Sequence, residues 1–282
     1  MESQFIPYSI TTVPSGRVLV LAPHPDDEIF GCGGAIMQHL VQGDEVTVII
    51  LTDGRAAIEH TNPLSMMQYI ETRRQESRDA AAILGYQHLD FWEFYDRELP
   101  CDETLIRRLQ QLIETERFDN VYAPSPFEVH PDHYALAVVA MTAVSRCQQS
   151  LVNLIMYEIA VPLRPNVLFD LTPFWERKQQ AMACFVSQLE KKKYDRYINS
   201  LNTYRAYTLP EWVLVAEAYY VISNEQLQAQ PLRQFGHTRQ TLLLEEFARK
   251  IERLNAELDT IYRSRSWWLT APLRWINSFL YR

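Results

Sequence analysis

Short β-branched runs alternate with helix-length stretches through the first 160 residues, and no other feature restricts the fold as tightly. Residues 17–21 (RVLVL), 45–51 (EVTVIIL), 88–94 (HLDFWEF), 120–123 (NVYA) and 151–159 (LVNLIMYEI) read as strands. Residues 33–42, 66–84, 103–117 and 132–146, which fall between them, read as helices. This alternation predicts an α/β fold: a Rossmann-like, mainly parallel sheet sandwiched by helices. Ligands of such sheets bind outside the carboxyl ends of the strands. The first such end carries APHPDDE, residues 22–28, which sets a histidine and three consecutive acids where a buried strand stops. Packed carboxylates repel one another and are costly to desolvate, so a cation is the simplest reason to gather them.

Composition narrows the class. A chain of 282 residues, 47% of them hydrophobic, can bury a full core. Its net charge of -8 argues against broad nucleic-acid binding, which needs a basic face. Cysteines 32, 101, 147 and 184 show no CxxC spacing and read as reduced thiols. The N-terminal residues lack a basic-then-apolar leader pattern, and no apolar run approaches the ~20 residues that span a bilayer. The expected location is the cytoplasm. Five of the eight glycines lie between residues 31 and 54, a concentration of backbone freedom beside the acidic loop. The GCGG cluster lacks the GxGxxG spacing of a dinucleotide fingerprint, and the acids before it would repel a pyrophosphate.

The pattern changes near residue 238. Leu244, Phe247, Ile251, Leu254, Leu258 and Ile261 recur at spacings of 3 and 4, a heptad seam. Residues 264–282, SRSWWLTAPLRWINSFLYR, follow with three of the six tryptophans. Residues 263–282 hold four arginines and no acid, which leaves -12 on the rest (-8 minus +4). The expected organisation is a sheet domain over 1–237 and a helical appendage over 238–282. The appendage would complete the core, self-associate through its seam, or lie peripherally on the inner face of an anionic membrane.

His24 and Asp27, three apart in a loop turning into a helix, can point at one centre. Imidazole with carboxylate suits zinc, and a catalytic zinc takes three protein ligands and keeps an open position. The best source of a third ligand is PSPFEVHPDH, residues 124–133, which again follows a strand and presents His and Asp at a helix start.

APHPDDE with GCGG after it, and the distal HPDH, resemble the PIG-L/LmbE-like family of zinc-dependent N-acetylglucosaminyl deacetylases. RRQE (73–76), AAILG (81–85), DREL (96–99) and KQQAMACFVSQ (178–188) extend the likeness from about residue 17 to 222. The resemblance implies His24, Asp27 and His133 as zinc ligands, with iron(II) as the alternative native metal. It implies Asp26 as general base and His130, oriented by Asp132, as the group that stabilises the oxyanion or protonates the leaving amine. Arg73 and Asp96 would contact the substrate, an N-acetylated amino sugar. The site alone leaves open an amidohydrolase acting on an acylated peptide or antibiotic precursor, and a metal-bearing glycan-binding module without turnover. A local likeness of the tail to SxSWxxTxPLR segments of bacterial surface-polysaccharide enzymes implies a lipid-linked or nucleotide-linked substrate.

Overall fold

The structure is a computed structural model that describes residues 6–57, 62–148 and 151–229, together with scattered helical positions between 250 and 262. The chain divides into two compact units, Met1–Leu232 and Arg233–Arg282. In the second, Lys250, Arg253, Leu254, Glu257, Leu258, Thr260 and Tyr262 are helical, and Leu254 and Leu258 of the heptad seam are exposed. The other seam positions and residues 263–282 lie outside the described residues.

In the first unit the strands are β1 (Val18–Ala22), β2 (Val46–Thr52), β3 (His88–Phe94), β4 (Asn120–Pro124), β5 (Asn153–Tyr157), β6 (Val167–Asp170) and β7 (Ala216–Ser223). They form one sheet in the order β3-β2-β1-β4-β5-β7-β6. The first five are parallel; β7 runs antiparallel to both of its neighbours. All five residues of β1 and of β4 are buried, as strands covered on both faces must be. The helices are α1 (Asp27–Gln42), α2 (Pro63–Leu84), α3 (Glu103–Glu116), α4 (Pro131–Arg146), α5 (Trp175–Met182), α6 (Val186–Leu189), α7 (Tyr194–Arg205) and α8 (Asn224–Ala229). Helices α1, α2 and α5 pack together, and α4 packs with α3 and α8. Chain order reverses between β1 and β4, so the crevice at their carboxyl ends is the switch point of the sheet.

Two expectations need correction. Helix α1 begins at Asp27 rather than at Gly33, running through GCGG with one break at Cys32 (φ -144°). The glycines at 31 and 34 serve close packing there instead of backbone freedom. A Cβ on Gly31 would lie 2.3 Å from the Tyr157 ring, and one on Gly34 would lie 2.3 Å from Leu171 and 2.7 Å from Glu217 Oε2. Glu217, buried on β7, accepts the backbone N–H groups of Gly34 and Ala35 at 2.8 and 2.9 Å and pairs with buried Lys178 at 2.7 Å. This ties KQQAMACFVSQ to α1. The second correction adds to the parallel strands the pair β6 and β7.

Candidate metal centre and active site

Two helix starts build the site. Helix α4 opens with His130 as N-cap, its Nδ1 accepting the Asp132 N–H at 3.3 Å, and Pro131 in the first position. Helix α1 opens with Asp26 as N-cap at φ 128°, a backbone conformation rarely adopted by an L-residue. Its backbone N–H donates to Glu28 Oε2 at 3.0 Å, while Thr52 on the neighbouring strand holds the Pro23 carbonyl through N–H (2.9 Å) and hydroxyl (2.8 Å).

Across the crevice, His24 Nδ1, Asp27 Oδ2 and His133 Nε2 form a triangle with sides of 3.1, 3.1 and 3.2 Å. Donors around a tetrahedral zinc with bonds of ~2.0–2.1 Å stand roughly 3.3 Å apart, so these three fit the ion. The other nitrogen of His24 is fixed from behind: Nε2 donates to Asp132 Oδ2 at 3.0 Å, with Asp96 Oδ1 3.2 Å away. That bond leaves the Nδ1 lone pair free for a cation. Asp132 is held in turn by the N–H groups of Arg97 (2.6 Å) and Leu99 (3.1 Å), and Asp96 by that of Ala56 (3.1 Å). The DREL segment thus braces His24 at one remove. His130 adds a further donor: nitrogens of His24, His130 and His133 fall within 4.8 Å of one another, as do atoms of His24, Asp96, His130 and Asp132. The triangle is the tighter set.

The field at this point favours positive charge. Burial pushes the Asp26 carboxyl up to about 7, against the pull of Arg73 and with the help of Asp27. Burial likewise lifts Glu28 to about 8. Burial alone would lower His24, but Asp132, Asp27 and Asp96 outweigh it and hold the imidazole well above its ordinary range. Burial would raise Asp27, and the His133 and His24 imidazoles hold it far below the usual carboxylate range instead. Burial and the two neighbouring imidazoles lower His130.

The structure brings His24, Asp26, Asp27, Asp96, His130, Asp132 and His133 to one crevice with Arg73 beneath it, but Asp132, Asp96 and Arg73 make contacts other than the expected ones. Asp132 lies on His24, while its carboxylate and His130 Nδ1 are 4.0 Å apart. The Asp96 side chain is only 7% exposed and sits against His24 rather than in the open. Arg73 is 2% exposed, with its guanidinium under the α1 loop on the Pro25 carbonyl and on Asp26 Oδ2 (3.2 Å). The sequence reading missed Glu128. This buried carboxylate accepts N–H groups from Ile159, Ala160 and Val161 at 2.8–3.2 Å and stands 3.8 Å from His133 Nδ1. An acid five residues before the second histidine of PSPFEVHPDH was the available signal.

The fold and the site define an open α/β protein with a histidine and carboxylate cluster that could hold a cation at its switch point. Residues 19–144 match the family model PIG-L, described as GlcNAc-PI de-N-acetylase. Diacetylchitobiose deacetylase of Thermococcus kodakarensis is 27% identical over 208 residues, 68% of this chain and 77% of that one. The structure of N,N'-diacetylchitobiose deacetylase from Pyrococcus horikoshii, complexed with its inhibitor MPG, matches with a TM-score of 0.68 and 25% identity. It covers 77% of this chain and 87% of the other. A 4-oxalmesaconate hydratase of Pseudomonas putida is 25% identical over 194 residues, 62% of this chain and 75% of its own.

Proposed function

We propose that the protein is a metal-dependent deacetylase that hydrolyses the N-acetyl group of an N-acetylglucosamine-type sugar conjugate and releases acetate. The observation that carries this is the 3.1–3.2 Å triangle of His24, Asp27 and His133 with the Asp26 carboxylate, held by Arg73, one residue from a corner. Those three side chains would hold the ion. Zinc bound there supplies a Lewis acid and lowers the pKa of a water from ~15.7 to ~7.

The chain's own groups do the rest. Asp26 accepts the proton of the attacking water as its oxygen bonds to the acetyl carbon. His130 Nδ1 is occupied by the Asp132 N–H, so the ring proton sits on Nε2. At 30% exposure, against 1–12% for the side chains of His24, Asp27, Asp132 and His133, His130 is the member of the cluster that reaches a substrate. Its N–H donates to the oxygen that gains charge in the tetrahedral state. Asp26 returns the proton to the amine as the C–N bond breaks, and acetate leaves.

The basic, tryptophan-rich residues 264–282 support a lipid-linked or nucleotide-linked precursor in polysaccharide assembly, handled at the inner membrane face. Among the described residues no helix is long and apolar enough to cross a membrane. The test is acetate release by the zinc-loaded protein from free, β-linked, nucleotide-linked and lipid-linked N-acetylglucosamine and from N-acyl peptides. One acetate per free amine on the sugars is expected. Turnover confined to the peptides, or to hydration of 4-oxalmesaconate, would overturn the reading.

A further inference from the structure

We infer that the buried ion pair of Lys178 and Glu217 is a positioning device that sets the direction of the first turn of α1 and so the aim of Asp27; this rests on the reading of Asp27 as a ligand of the ion. In an unbroken helix the Gly34 N–H would donate to the Phe30 carbonyl, four residues back. The break at Cys32 (φ -144°, ψ 23°) interrupts that ladder, and the ion pair is set into the gap. Glu217 Oε1 accepts the Gly34 N–H at 2.8 Å, Lys178 Nζ donates to the Phe30 carbonyl at 2.9 Å, and the two charged groups meet at 2.7 Å. Glu217 Oε2 accepts the Ala35 N–H at 2.9 Å as well. Each charge stands at the helix end that suits it: the carboxylate at the start of segment 33–42, the ammonium at the end of segment 27–31.

Both groups are held in place. Lys178 gives its third N–H to Asn202 Oδ1 at 3.2 Å, and Glu217 also accepts the Tyr219 hydroxyl. A buried pair adds little stability over apolar side chains of the same volume, whereas it can specify one arrangement of the groups around it. What it specifies here is the angle at which residues 27–31, little more than one turn, leave the rest of α1. That turn is fixed at its other end by the Asp26 N–H on Glu28, and it carries Asp27 into the triangle. A ligand set tolerates only about 0.5 Å of misplacement, so a small swing at Cys32 is enough to loosen it.

Zinc affinity by chelator competition, and stability of the metal-free protein by urea unfolding in EDTA, separate position from stability without any substrate. Glu217→Gln keeps the shape but offers an amide N–H where an acceptor is needed. It and Lys178→Met should each weaken zinc binding by about tenfold, the lower end of the loss caused by removing a group behind a ligand. Leu171→Ala, which opens the packing against Gly34 and leaves the pair intact, should lower the urea midpoint and keep zinc affinity to within about twofold of wild type. In crystal structures of the metal-free pair variants, Asp27 Oδ2 should stand farther from His24 Nδ1 and His133 Nε2 than the 3.1 Å of the wild type. Wild-type zinc affinity in both pair variants, an unmoved Asp27, or an equal loss of zinc affinity in Leu171→Ala overturns the inference. So does failure of both pair variants to fold, which would make the pair a requirement of the fold rather than of the aim of Asp27. A wild type that binds no zinc would overturn the reading of Asp27 as a ligand, and the inference with it.

Discussion

The tripeptide His-Pro-Asp occurs at both loops of the site, and the two copies do opposite things. In His24-Pro25-Asp26 the histidine is a half-buried corner of the triangle and the aspartate is the clamped carboxylate beside it. In His130-Pro131-Asp132 the histidine is the outward member and the aspartate is a 1% exposed brace behind His24. Helix phase accounts for the exchange. Helix α1 takes Asp26 as its N-cap, whereas α4 takes His130. The same letters are therefore shifted by two residues relative to the helix start, so the first copy lies ahead of its helix while the second opens it. A motif's chemistry is thus set by where its helix begins as much as by its residues.

If each loop supplies a ligand, neither can hold the ion alone. Asp27→Ala and His133→Ala should each reduce bound zinc from one per chain to near none, with turnover falling below detection. The thermal stabilisation by zinc, about 2.7 kcal/mol at a hundredfold excess over Kd, should vanish in both. Stoichiometric metal in either variant, by elemental analysis, would break the comparison. The aspartates should then separate by phenotype. Asp26→Asn should retain zinc and lower kcat by ~10²–10⁴-fold, the range for general-base catalysis. Asp132→Asn should weaken zinc affinity by ~10–100-fold in a chelator competition, as loss of a partner behind a ligand does. Equal metal affinities would mean that Asp132 does not brace His24. Of the two histidines, His130→Ala should keep its zinc and lower kcat by ~10²-fold, the cost of one oxyanion donor. Smallest of all, Val129→Ser beside it, at 81% exposure, should shift urea-unfolding stability by no more than about 0.5 kcal/mol.

The parallel half of the sheet was legible because strands buried on both faces must be nearly all apolar, and RVLVL and EVTVIIL are. The other half was not. Strand β6 has four residues, and β7 carries a buried Glu217 in mid-strand, paired to a lysine that sequence pattern cannot supply. The start of α1 was hidden because three glycines in four residues lower helix propensity, while packing against Tyr157, Leu171 and Glu217 demands two of them, Gly31 and Gly34. Within the site, residue types and spacing pointed to His24 and Asp27, and the family resemblance to His133; the structure draws the three into one triangle. Spacing could not show which partner each remaining polar group would choose, and so Asp132, Asp96 and Arg73 sit on neighbours other than those expected.

Adjacency of β1 and β4 in the sheet, with about a hundred residues of chain between them, has a consequence for biogenesis. During synthesis the APHPDDE loop leaves the ribosome long before its partner, and a nascent chain that stops short of β4 carries half a coordination sphere. Metal capture by the triangle would therefore be a late event, coincident with closure of the central strand pair. Slow elongation between residues 28 and 133 would prolong the interval in which three adjacent acids face solvent without a counter-ion, and chaperone binding in that window would act on an unloaded chain.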